Sequence, residues 1–306
     1  MDLNSLYLAI VAFGAALVNG AIGYGFSSTI APIAVLWYSN KVLNPALVIV
    51  EVAVNAVLLY RERGLIRATW SRARPLISTM LPGVLLGTIG LTYLAVNDVK
   101  IALYAAMFPL TLLQLWGIRR PIRNEKRGGL VVGSGIGFLY ALTTISGPPL
   151  ALFFRNQGLS KNEFRCAIAQ VRAVESTLTL GMYLAFTQFL GAGLVSAPSL
   201  GLLPSLLLPV LIGIPLGTLL LQSISREFFN RIVMAVDGIL VSYGMVRTLS
   251  LVGWINSTTG FLVLAVLVSV VGIFTFWAVR KLSILRATQE PEAVREPVEP
   301  LAKETS

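Results

Sequence analysis

The chain has 306 residues, of which 56% are hydrophobic and only 12% charged, with 24 Lys and Arg against 14 Asp and Glu. Soluble domains carry about 25% charged residues, so this composition points to an all-α polytopic membrane protein. A single cysteine, Cys166, and no histidine exclude a disulfide framework, a Cys/His metal cluster and a Ser/His or Cys/His catalytic pair.

No G-x-x-x-x-G-K-[ST] loop is present, so the chain does not itself hydrolyse ATP. The net charge of +10 sits in short loops between apolar runs, the positive-inside pattern and not a nucleic-acid surface. No cofactor, metal site or enzymatic activity is implied. The first apolar run begins at Leu6 with only Asp2 before it, unlike a cleaved signal peptide, and reads as mature structure.

That first run, Leu6 to Trp37, is far longer than the roughly 20 residues one span needs. It is interrupted at its centre by NGAIGYGFSSTIAP, Asn19 to Pro32. Apolar runs follow at Leu43–Tyr60, Pro75–Ala95 and Ile101–Ile118, then a second over-long run, Leu130–Phe154, broken by ALTTISGPPL. Four more complete the set: Ala167–Leu190, Leu200–Ile224, Ile232–Leu249 and Trp254–Val279. Each broken run is either one tilted span or a re-entrant hairpin. With hairpins, the basic stretches Arg61–Arg74, Arg119–Arg127, Arg155–Arg165, Arg226–Arg231 and Arg280–Arg286 share one side, and only Lys41, Lys100 and Arg247 lie opposite. With full crossings the basic residues divide almost evenly, so the charge rule favours hairpins.

This predicts two inverted repeats, each a re-entrant broken-helix hairpin plus three spans, with one extra C-terminal span. The units are residues 1–118 and 128–249, joined by a basic cytoplasmic loop 119–127. An accessory helix 250–280 and a disordered cytoplasmic tail 281–306 follow. VLLGT at Val84–Thr88 and IPLGT at Ile214–Thr218 occupy matching places. The N-terminus is expected outside and the C-terminus inside, and a homodimer is compatible with the sequence.

Broken backbone at membrane depth is tolerated only where protein or a water-filled cavity surrounds it, and paired breaks point to a transporter's substrate site. In the first, Asn19, Gly20, Gly23 and Gly25 precede Ser27 and Ser28, which open a half-helix; in the second, Thr143, Thr144, Ser146 and Gly147 precede Pro148 and Pro149, suited to a first helical turn. A helix N-terminus favours an anion. Close helix packing is the alternative role for small residues, and it is the reading for Gly83, Gly87, Gly213 and Gly217.

Ionisable residues at membrane depth are the second signal. Aligning Gly25 with Ser146 sets Glu51 opposite Arg172 and Asn55 opposite Ser176. Arg172 is either the anion's anchor, through its planar fork, or the partner of Glu51 or Glu175. Glu51 and Glu175 are candidate proton carriers, with protons as the coupling ion. Gln170 is expected to line the site, and Asp237 to be structural or near a helix break. The tryptophans read as interface anchors in the lipid bilayer.

NGAIGYGFSSTIAPIAVLW, the run NAVLLYRERGLIRATW and the turn TTISGPPLALFF resemble the sulfite exporter TauE/SafE family, over residues 8 to 250. The resemblance implies a secondary transporter of the bacterial inner membrane, carrying small organosulfur anions such as sulfite, sulfoacetate or other sulfonates. Matching position by position, Gly20, Gly23, Gly25, Asn55, Ser146, Gly147 and Pro148 would be the motif residues. GYGF replaces a more usual run of glycines, and TTISGPP keeps only one, departures that bear on which anion fits. The competing functions are an anion channel, marked by single-channel current, and an intramembrane enzyme, which would need a nucleophile or metal set that the scattered acids do not supply.

Overall fold

A computed structural model describes residues 3–116, 125–155, 157, 159–220 and 226–293. The described residues are all-helical, without strands. Helices α1 (Leu3–Ile22), α2 (Phe26–Ala34) and α3 (Asn40–Arg61) come first, then a 3-10 turn (Arg63–Leu65), α4 (Ile66–Ile77), α5 (Met80–Tyr93) and α6 (Val96–Trp116). They are followed by α7 (Glu125–Thr143), α8 (Gly147–Arg155), α9 (Lys161–Leu190), α10 (Ala197–Gly201), α11 (Leu203–Leu220), α12 (Arg226–Leu251) and α13 (Ser257–Ala293). Six helices among the described residues are long and apolar enough to cross a membrane, or seven if the α4–α5 pair, bent by 51°, forms one span. The arrangement inverts that of a soluble protein. Leu211, Phe189 and Phe261 are exposed on the outside, while Glu51, Arg172 and Glu175 are buried inside.

Both expected breaks are present. The first is residues 23–25 and the second residues 144–146, and the helices that follow, α2 and α8, begin and end 121 residues apart. Tyr7 near the start of α1 stacks on Trp37 beyond α2, ring centroids 6.1 Å apart, so the segment folds back on itself as a hairpin. The second segment does the same: a Cβ at Gly129 in α7 would lie 3.6 Å from the Phe153 ring in α8. The arms are unequal. α1 has 20 residues, about 30 Å, and is a full-length helix, because nothing from Leu3 to Ile22 breaks it. Asn19 and Gly20 consequently belong to its last turn.

The two hairpins are exchanged between neighbours. α1 packs mainly on α11 and α7 mainly on α5, and glycines let the backbones meet. A Cβ at Gly217 or Gly213 would overlap Leu17 or Ala16 of α1, and one at Gly83 or Gly87 would overlap Ser134 or Phe138 of α7. Packing is therefore their role, as the sequence suggests.

Two boundaries differ from expectation. Arg67–Arg74, expected in a loop, is helical, because Thr69, Ala73 and Leu76 fall on one buried face at helical spacing. The break after α4 is held from outside, where Ser134 of α7 donates to the Thr79 carbonyl at 2.5 Å. The last helix runs to Ala293, so residues 281–293 of the expected disordered tail are helical; no glycine or proline interrupts them before Pro291. Residues 294–306, and Arg119, Arg120 and Arg123 of the basic loop, lie outside the described residues. α9 begins at a capping box, Ser160 N–H donating to the Glu163 carboxylate at 2.9 Å, and ends at Gly191 with φ 62°.

Candidate functional site

A buried polar cluster lies where α3 crosses α9 and both hairpin breaks approach. α3 supplies Glu51 and Asn55, α9 supplies Arg172, Glu175 and Ser176, α2 supplies Ser27, α7 supplies Tyr140, and the second break supplies Ser146. Arg172 and Glu51, only 4% and 1% exposed, form an ion pair through Nη2 and Oε1. The Ser27 hydroxyl donates to Oε1 of Glu51 at 2.7 Å, and the Tyr140 hydroxyl donates to Oε2 at 2.6 Å. Three donors thus stabilise the carboxylate in a buried position, where an unpaired charge would be severely penalised.

Glu175 is the less satisfied acid. Ser146 Oγ donates to its Oε2 at 2.5 Å, while its Oε1 has no partner among the described residues, and neither does Nε of Arg172. Asn55 Nδ2 donates weakly, at 3.4 Å, to the Arg172 carbonyl and to Ser176 Oγ. The pairs Glu51–Arg172 and Asn55–Ser176 are each separated by 121 residues, the same interval as the two breaks. Residues at matched positions in the two halves touch each other.

The hairpin tips meet above this pair. A Cβ at Gly147 would lie 3.6 Å from the Gly25 nitrogen, 3.0 Å from the Tyr24 ring and 3.7 Å from Nη1 of Arg172. Gly25 caps α2 in a left-handed conformation, φ 107°, which suits glycine. The N–H groups of Phe26, Ser27 and Ser28 open that helix and have no intrahelical acceptors. A helix start of this kind favours an anion.

The other sequence-predicted residues sort by position. Ser28 Oγ turns back to the Gly25 carbonyl at 3.1 Å, and Pro148 lines a small cavity beside the first tip. Gly23, φ 91°, lies under the Arg165 side chain. Asn19 is buried and its carbonyl accepts from the Gly23 N–H at 2.7 Å. Gly20 is turned away from the junction, against Ile214 of α11. Thr143 Oγ1 bonds the Leu139 carbonyl within its own helix, and Thr144 holds the turn at φ 62°. Gln170 does not line the cluster: its amide donates to Thr69 Oγ1 at 2.7 Å and to the Ile66 carbonyl at 3.0 Å. Two residues along a helix are about 200° apart, so Gln170 and Arg172 cannot share a face.

Two residues absent from the sequence expectations also matter here. Tyr140 occupies the position 121 residues beyond Asn19, so the offset itself was the signal that would have found it. Arg165 counts in the sequence as a loop charge, but the structure lays it across the first tip.

A family model described as Sulfite exporter TauE/SafE matches residues 8–245. The chain belongs to the TauE/SafE family. No curated protein and no solved structure matches it. TauE/SafE proteins are membrane transporters, and with six span-length helices this chain is a multi-pass membrane protein. The matched stretch holds both hairpins, the Glu51–Arg172 pair and Glu175, whereas α13 lies wholly beyond it.

Proposed function

We propose that this TauE/SafE chain is a secondary transporter that carries a small organosulfur anion, such as sulfite, sulfoacetate or another sulfonate, across the inner membrane by alternating access. The observation that carries this reading is the meeting of the two hairpin tips at Gly25 and Gly147, directly against the buried Arg172–Glu51 pair. The matched offset and the reciprocal packing of α1 on α11 and α7 on α5 support two inverted units, residues 1–118 and 128–249, that rock around that junction. The basic residues of α4 and of the start of α9 support a cytoplasmic C-terminus and an outside N-terminus.

In this mechanism the α2 N-terminus receives the anion and Arg172 completes its coordination. Arg172 is bound to Glu51 at rest, so the anion must exchange with Glu51 for the guanidinium. The released Glu51 takes up a proton, and anion and proton then move together with no net burial of charge. Glu175, with one free oxygen, is the second proton acceptor. Both acids are sealed from solvent, so the exchange requires the two units to part.

The test is a thermal-shift screen of detergent-purified protein against sulfite, sulfoacetate, toluene sulfonate, sulfate, acetate and chloride at matched ionic strength, followed by proteoliposome flux. A ligand at a hundred times its Kd stabilises by about 2.7 kcal/mol. An organosulfur anion is expected to give that shift and to drive proton uptake; flux indifferent to an imposed pH gradient rejects proton coupling, and no shift with any anion rejects the substrate class.

A further inference from the structure

Beside the first hairpin tip, and sharing Gly25 and Ser28 with it, lies a cavity of about 20 Å³ whose other side the anion mechanism does not use. It has room for one water-sized occupant. Asp237 of α12 lines it, facing Ser28 and Thr29 of α2 and Thr111 and Gln114 of α6. No basic side chain and no second acid lines the cavity. Asp237 is only 9% exposed, and its carboxylate meets the Thr29 hydroxyl at 3.4 Å; among the described residues it has no cationic partner. Gln114 is 7% exposed, and its amide nitrogen has no partner among the described residues.

A buried carboxylate at membrane depth is stabilised either by a proton or by a compensating cation. Set among the apolar side chains of Val18, Ile22, Met107, Val233 and Met234, the cavity's polar lining includes one carboxylate, the hydroxyls of Ser28, Thr29 and Thr111, and an amide whose two ends are equal in shape, so that either oxygen or nitrogen can face inward. Hard oxygen donors suit hard cations. A single negative charge balances a monovalent ion, and no group of three or more His, Cys, Asp or Glu among the described residues offers a divalent site. The small volume favours an ion stripped of its water.

We propose that Asp237, with Ser28, Thr29, Thr111 and Gln114, forms a sodium site. Thr29 stands one turn into the helix whose N-terminus is capped by Gly25. An ion held between Thr29 and Asp237 therefore ties the first hairpin to α12 and fixes the orientation of the tip. Coupling of sodium to anion transport rests on the transporter reading above; the site itself does not.

The experiment measures binding first, in the absence of any organic anion. The detergent-purified full chain is titrated with NaCl, KCl and choline chloride at constant ionic strength and pH, following Tm and equilibrium uptake of radioactive sodium. The expected result is a saturable rise in Tm and saturable uptake with Na+ alone, both lost in Asp237→Asn and weakened in Thr111→Val. Equal shifts with all three salts overturn the site, as does full Na+ binding by Asp237→Asn. A stabilisation seen on lowering the pH but not on adding Na+ assigns Asp237 to a proton and overturns the sodium proposal. If Asp237→Asn does not fold, Thr29→Val and Gln114→Leu give the same comparison by uptake. Flux in proteoliposomes then separates the two claims: sodium binding with anion flux indifferent to a sodium gradient removes the coupling alone, and sodium binding without any anion flux removes the transporter reading while the site stands.

Discussion

The first hairpin turns through Gly23 and Gly25, with φ of 91° and 107°, whereas the second makes the matching turn with Thr144 at φ 62° and no glycine in its break. Beyond the turns, α2 opens with Phe26, Ser27 and Ser28, each carrying an N–H, but α8 opens with Gly147, Pro148 and Pro149 and so offers only one. Both tips nevertheless send a serine hydroxyl to a buried glutamate, Ser27 to Glu51 and Ser146 to Glu175. The two tips are thus built alike in their serine-to-glutamate contacts but not in their turns or helix starts. In the proposed mechanism the first tip keeps donors for the anion and the second acts as a strut, its helix start preset by two prolines and its turn braced by the Thr144 N–H on the Tyr140 carbonyl at 2.6 Å.

Breaking the pair beneath both tips should have the largest effect. Arg172→Gln leaves Glu51 charged, buried and unmatched, and should lower stability by about 3–5 kcal/mol; adding Glu51→Gln should restore most of it, as measured by thermal unfolding in detergent. A double variant no more stable than the single one would mean that the pair does not hold the tips together.

Tyr140→Phe removes one charge-assisted hydrogen bond from Glu51 and should lower stability by about 1.5–3 kcal/mol. The same scan would detect it, and an unchanged Tm would place the weight of the Glu51 site on Ser27 and Arg172 alone.

The two turns should respond with opposite signs. Gly25→Ala forces a side chain into a conformation that costs about 1–3 kcal/mol and brings its Cβ to 3.3 Å from Val18, so it should destabilise the protein and weaken anion binding. Thr144→Gly relaxes the non-glycine left-handed turn and should gain about 1 kcal/mol or less, with anion affinity unchanged. Equal losses in both would erase the distinction between cradle and strut. The smallest effect is expected for Pro148→Ala, which restores one N–H at the second tip. A gain in anion affinity of severalfold, read by the same ligand titration, would sharpen the contrast; no change would leave all binding to α2.

Much of this was legible in the chain. The positions of both breaks follow from local chemistry, because glycines and prolines decide where a helix can stop irrespective of its neighbours. The offset that pairs Gly25 with Ser146 also set Glu51 against Arg172, since equal spacing from the two breaks brings equivalent residues to one crossing. Helical character from Arg67 to Arg74 was hidden because a basic stretch reads as a loop until the small buried face of Thr69, Ala73 and Leu76 finds α9 and α7 to pack on.

The amino-acid sequence by itself therefore determined a helical membrane protein with two broken segments and a few buried charges, because hydropathy and backbone permissiveness are properties of neighbouring residues. Only the tertiary structure decided that Arg172 is matched by Glu51 and not Glu175, that Gln170 turns to α4, that Tyr140 closes over Glu51, and that Asp237 and Gln114 converge from α12 and α6 on one small cavity. Such pairings depend on which helix faces exclude water together, and that is settled by the packing of segments more than a hundred residues apart.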